Sequence, residues 1–294
     1  MGFLLDGKWE SELSFNTNKK GAFDRPESTF RHVISKESEF TPDTNRYHLY
    51  VSYACPWAHR ALIFRELKQL TPHIDVSVVH PDMIENGWEF NPNFNASTAD
   101  GLFGLDYLYQ IYQKSDPNVS CRVTVPVLWD KHRECIVNNE SSEIIRIFNT
   151  AFNELTGNND DYYPESYRDE IDAINEKVYH AVNNGVYKSG FAKSQEAYDE
   201  AVSILFKTLD ELDDHFKTRD YLVGDQLTEA DIRLVTTLLR FDSVYHTHFK
   251  CNKKLIREYK HLHRFVLSMY ELEAIKNTTY FDHIIRHYYY SHKL

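Results

Sequence analysis

Between residues 47 and 79 the chain reads as strand, helix, strand, with a cysteine at the first joint. Tyr47-His48-Leu49-Tyr50-Val51-Ser52 alternates and is rich in β formers, as a strand requires. Tyr53-Ala54-Cys55-Pro56 turns the chain. Good helix formers run from Pro56 to Leu70, and Pro56 suits a first helical position because the amide it lacks has no partner there. Ile74 to Val79 reads as the next strand. This order with a short crossover requires parallel strands joined right-handed, so an α/β unit is expected here.

The flanking segments extend that unit. Residues 1–45 are polar and loop-like and are expected to form an arm packed on the first domain. Residues 81–120 hold Pro, Asn and Gly among aromatics, too long for a plain loop, and read as a functional insertion. Val123-Thr124-Val125-Pro126-Val127-Leu128-Trp129 reads as a strand, with Cys135-Ile136-Val137 as its partner across a turn. Asn138 to Ser142 opens a helix running to about Phe152, with Ser141 or Asn139 as candidate cap. The Gly-, Asn- and Asp-rich run 156–161 is the best boundary, giving domains at 46–155 and 162–294. Beyond it strand signals nearly vanish. Ala201, Leu205, Leu209, Leu212 and Phe216 recur at helical spacing. Thr228 and Asp231 stand at the two positions of a capping box. The second half therefore reads as all-α.

Charge and composition exclude several functions. A net charge of −11 with no long basic run argues against nucleic acid. No apolar stretch reaches the length of a bilayer span. The opening Met1-Gly2-Phe3-Leu4-Leu5-Asp6 is too short for a secretory signal, and Asp6 breaks the myristoylation pattern. The final His292-Lys293-Leu294 only loosely fits a peroxisomal address. The four cysteines, Cys55, Cys121, Cys135 and Cys251, form no close pair, which suits a reducing compartment, and a soluble cytoplasmic protein is expected. His246 with His248, and His261 with His263, are spaced i,i+2 and do not share a helix face, so no metal is expected.

Cys55 carries the chemistry. A helix amino terminus has partial positive charge and unpaired amides, which favour a thiolate. His59 and Arg60, one turn on, are expected to add to that field. In a dithiol oxidoreductase the second thiol would fall at position 58, which is Ala58. A mixed disulfide on Cys55 then needs an external thiol to resolve it, and glutathione is the abundant one. The competing reading, a small buried hydrophobe, fits a helix start poorly. The Val125-Pro126 bond is expected to be cis, turning the Val125 backbone toward an extended peptide ligand. Glu140-Ser141 at a helix start offers amides and a hydroxyl to a carboxylate and an acid to an ammonium, as a γ-glutamyl group presents them. Simple strand entry and helix capping are the plainer readings of these last two features.

The string Cys55-Pro56-Trp57-Ala58-His59-Arg60 resembles the Xi class of glutathione transferases, the glutathionyl-hydroquinone reductases. Gly87-Trp88-Glu89-Phe90, the run from Arg122 to Asp130, and Asn183-Asn184-Gly185-Val186-Tyr187 carry the likeness further. So do Arg240-Phe241-Asp242 with Tyr245, Phe249-Lys250-Cys251-Asn252 and His287-Tyr288-Tyr289. The resemblance implies an α/β thioredoxin-like N-terminal domain followed by an all-α C-terminal domain, assembled as a homodimer. It implies Cys55 as nucleophile, and Trp88, Arg122, Val125, Glu140 and Ser141 as glutathione contacts. It implies Tyr187, Tyr245 and Tyr288 as the acceptor pocket, with one of them donating a proton. Glutathione would be co-substrate and glutathionylated quinols the partner substrate. Two other readings stay open: an Omega-like thiol transferase or dehydroascorbate reductase, and a non-catalytic module for aromatic ligands.

Overall fold

The computed structural model describes residues 2–11, 21–23 and 25–292. Residues 12–20 of the expected arm, and Lys293-Leu294 of the candidate terminal address, lie outside the described residues. The chain divides into two units. Most of the first is Pro26–Asp160, and most of the second is Asp161–Asn277.

The first unit opens on a hairpin, β1 (Phe3–Leu5) and β2 (Lys8–Glu10). Then come β3 (Tyr47–Val51), α1 (Pro56–Leu67), β4 (Asp75–Val78), α2 (Leu108–Ser115) and β5 (Cys121–Arg122). β6 (Val127–Asp130), β7 (Cys135–Asn138), α3 (Ser141–Thr150) and α4 (Asn153–Thr156) complete this stretch. The main sheet has the order β4-β3-β6-β7, with β3 parallel to β4 and antiparallel to β6. Every residue of β3 is buried, so both faces of its sheet are covered. Leu49, Val51, Ile63, Leu128, Ile145 and Phe148 meet in this core. Burying one such side chain contributes about 1.5–3 kcal/mol.

The strand–helix–strand reading of 47–79 matches this unit closely. α1 stops at Leu67 because Gln69 takes a left-handed conformation at φ 56°. The strand expected from 123 begins at Val127, since Pro126 has no amide to give a ladder. Two segments read as loop are not. β1 pairs with both β2 and β5 in a second sheet, but strands of three residues carry too little alternation to read. The insertion contains α2, whose entry is held by Gln110 Oε1, which accepts the Asp106 and Tyr107 amides. The loop before it is fastened by Asp100, which accepts from the Tyr50 hydroxyl and from the amides of Leu102, Phe103 and Leu105.

The second unit holds α5 (Arg168–Val178), α6 (Gly185–Gly190), α7 (Gln195–His215) and α8 (Glu229–Arg240). α9 (Lys260–Tyr270) and α10 (Glu273–Lys276) follow. The periodic apolar face of α7 is buried as read. The Thr228 box is present, and Asp231 also accepts the Leu222 amide at 2.8 Å. Wide π-helical turns, Tyr179–Asn183 and Phe241–Tyr245, lead into α6 and close α8.

Two boundaries differ from the sequence division. The last helix, α11 (Phe281–Ser291), belongs with the first unit rather than with the all-α half. Arg286 pairs with Asp82 at 2.7 Å, and Ser291 accepts the Met83 amide at 2.9 Å. At the other end, residues 21–23 and Arg25 of the arm belong with the second unit, where Phe23 packs on Phe191 and Arg25 bonds Asn184. Chain ends pack wherever an apolar surface accepts them, and sequence proximity does not reveal which.

Candidate active site

Cys55 is the N-cap of α1, half-buried, with Pro56 at the first helical position. Its thiol reaches the Val125 carbonyl oxygen at 3.6 Å. The Val125–Pro126 bond is cis. The other thiols differ in setting. Burial pushes Cys121 up to about 11 and Cys251 up to about 12, and raises Cys135 too. The field expected from His59 and Arg60 takes another form. His59 is fully buried, and its Nε2 meets the Thr278 hydroxyl at 3.0 Å. The Arg60 guanidinium lies 4.6 Å over the Trp57 ring and acts on Glu140.

Glu140 itself, not Ser141 or Asn139, caps α3, because its carboxylate folds back onto the first turn. It accepts from the Ser142 amide at 3.0 Å and hydroxyl at 2.9 Å, and from the Ser28 hydroxyl at 2.9 Å. Burial works to raise its pKa. The Ser142 and Ser28 donors and Arg60 outweigh that and hold it below the ordinary glutamate value. A carboxylate kept charged beside the buried Ser141 is a fit receptor for an ammonium.

Trp88 follows a tight turn closed by the Gly87 amide donating to Ile84 at 3.0 Å. Gly87 takes φ 72°, and a Cβ there would stand 2.7 Å from the Trp9 ring. The indole of Trp88 is buried and stacks on His287. Arg122 is half-buried in β5, paired to Phe3.

The first unit thus holds Cys55, Trp88, Arg122, Val125, Glu140 and Ser141, and α11 adds Tyr288, buried and edge-on to His287 at 5.3 Å. The second unit holds Tyr187 and Tyr245, with ring centroids 6.0 Å apart and Phe249 against both. Sequence reasoning missed Ser28 and His287. Ser28 lies in a stretch without periodicity, whereas His287 stands in a quoted string that was read only for Tyr288. Among the described residues no three His, Cys, Asp or Glu side chains are grouped to hold a metal ion. No helix there is long and apolar enough to cross a membrane.

Residues 54–151 match the family described as Glutathione S-transferase, N-terminal domain, and residues 195–267 match its C-terminal domain. The chain is 51% identical to the glutathionyl-hydroquinone reductase YqjG of Escherichia coli, covering 100% of this chain and 92% of that one. It is 50% identical to the glutathionyl-hydroquinone reductase PcpF of Sphingobium chlorophenolicum, covering 99% and 92%. The crystal structure of the glutathione-S-transferase Xi from Phanerochaete chrysosporium superposes with a TM-score of 0.92 at 52% identity, over 94% of this chain and 90% of that one. The glutathione-bound structure of YqjG gives 0.92 at 50% identity, over 99% and 92%.

Proposed function

The chain belongs to the Xi class of the glutathione transferases, and from that premise we propose that it is a glutathionyl-hydroquinone reductase. The observation that carries the reading is the half-buried Cys55 at the start of α1, against the Val125 carbonyl, with Ala58 where a resolving thiol would stand. Helix amides stabilise a thiolate there. That thiolate attacks the sulfur of a glutathionyl-hydroquinone. The bond between sulfur and ring carbon breaks, the carbon takes a proton, and a Cys55–glutathione disulfide forms. A second glutathione attacks this disulfide, giving oxidised glutathione and free Cys55.

Each candidate residue has a part in this scheme. Val125 offers its backbone to the glutathione cysteine. Glu140 takes the γ-glutamyl ammonium, and Ser141 with the α3 amides takes the carboxylate. Trp88 and Arg122 flank the tripeptide. Tyr187, Tyr245 and Tyr288 bind the ring hydroxyls, and one donates the proton. A phenol ordinarily near pKa 10 suits a carbon that develops carbanion character. The enzyme works without metal, as a homodimer, in the reducing cytoplasm.

The test is steady-state release of menadiol from glutathionyl-menadiol with added glutathione. The wild type releases menadiol and Cys55→Ser does not. No release by the wild type, with hydroxyethyl-disulfide reduction retained, moves the protein to general thiol transfer. A monomeric mass by light scattering overturns the dimer.

A further inference from the structure

The middle of the arm runs beside α6. The Lys193 amide donates to the Gly21 carbonyl at 3.0 Å. The Phe23 ring lies 6.4 Å from that of Tyr187 and 5.6 Å from that of Phe191. Arg25 then makes two anchors. Its Nε–H donates to Asn184 Oδ1 at 2.9 Å. Its guanidinium carbon stands 5.0 Å from the Tyr187 ring centroid and 5.5 Å from that of Phe23. Asn184 is buried and begins the turn into α6, three residues before Tyr187. One side chain thus holds both the start of that helix and the face of its phenol.

A cation within about 6 Å of an aromatic centroid is attracted by the ring electrons. The same field favours negative charge on the phenol oxygen, so the hydroxyl becomes a stronger donor. Tyr245, Phe249 and Phe191, all uncharged, also pack around the Tyr187 ring. We propose that Arg25 is a positioning residue for the acceptor side, fixing Tyr187 and strengthening its hydroxyl as a donor to the quinol ring. The inference rests on the deglutathionylation reading and adds to it a residue from outside both folded halves of the sequence division.

The experiment is a double-mutant cycle on menadiol release from glutathionyl-menadiol. Arg25→Met keeps the stem and removes the charge. It lowers kcat about three- to tenfold, the range of a partly desolvated cation–π contact, and leaves the glutathione KM within about twofold. Arg25→Lys restores part of the rate, because it keeps a cation but not the planar fork to Asn184. On a Tyr187→Phe background Arg25→Met adds less than about twofold, since no hydroxyl remains to assist. An equal loss on both backgrounds, or a change confined to the glutathione KM, overturns the inference. Tyr187→Phe with full activity also overturns it and leaves the Cys55 chemistry standing. No release by the wild type removes the functional reading and this inference together.

Discussion

His287 lies face to face with Trp88, ring centroids 4.8 Å apart and planes 21° apart. Its Nδ1–H donates to the Pro81 carbonyl at 2.7 Å, which fixes the ring from its edge. A stacked pair of this kind adds about 1 kcal/mol beyond burial. His287→Ala should therefore raise the glutathione KM about fivefold through a loosened Trp88, with a smaller change in kcat. His287→Phe, which keeps a face for the indole, should recover much of that. Steady-state kinetics with varied glutathione checks both, and an unchanged KM in His287→Ala would count against the stack.

Glu140→Gln keeps an acceptor for the Ser142 amide but removes the charge meant for an ammonium. Hydrogen bonds to charged groups contribute about 1.5–3 kcal/mol, so glutathione should bind at least tenfold more weakly. The pH limb follows from the lowered pKa of Glu140. The group stays charged below the ordinary glutamate value of 4.5, so affinity should hold down to that pH and fall only beneath it. Calorimetric titration of glutathione between pH 7 and pH 4 measures this.

His48 is buried in β3, its Nε2 2.8 Å from the Ser77 hydroxyl, and burial lowers its pKa to about 4. An unfolded histidine titrates near 6.5, so between pH 6.5 and 4 the unfolded chain binds more protons than the folded one. Stability is therefore lost as pH falls through that window, by about 2 kcal/mol from this group between pH 7 and 4.5. Urea unfolding at the two pH values should show the loss reduced in His48→Leu. A loss of the same size in the variant would assign it to other groups.

A Cβ on Gly190 would stand 2.5 Å from the Phe249 ring, and that ring packs on both Tyr187 and Tyr245. Overpacking of this kind costs about 1–3 kcal/mol. Gly190→Ala should lower the melting temperature by several degrees. It should also depress menadiol release more than hydroxyethyl-disulfide reduction, because the disturbance falls on Tyr187 and Tyr245, the tyrosines proposed to bind the quinol ring. Equal losses in the two assays would refute that assignment.

The turn at Cys55 was legible because its signal is local: a strand, Cys55-Pro56 and a run of helix formers sit in consecutive residues. The capping box at Thr228 was legible for the same reason. The support of Trp88 was not. His287 and Pro81 are 206 residues apart, and an amphipathic helix such as α11 shows which face it buries but not against what. The cap of α3 was misplaced by one residue because Glu140 is an uncommon N-cap type, held by Ser28 from the arm. α2 was missed because its N-cap position is a tyrosine, and the turn is held instead by Gln110 reaching back to the Tyr107 amide. Long-range packing decides these features, and local propensity is silent on it.

The placement of α11 bears on how the protein is made. The sheet and Cys55 come early in the first unit, yet His287, which stacks on Trp88, comes to it on α11. Domains ordinarily fold as units while the chain emerges, amino-terminal part first. Here a nascent polypeptide with the sheet and Cys55 already outside the ribosome still lacks the brace until residue 287 has been made. Premature termination anywhere before residue 287 leaves the indole without its partner, so truncated products should be poor at holding glutathione even where their sheet has formed.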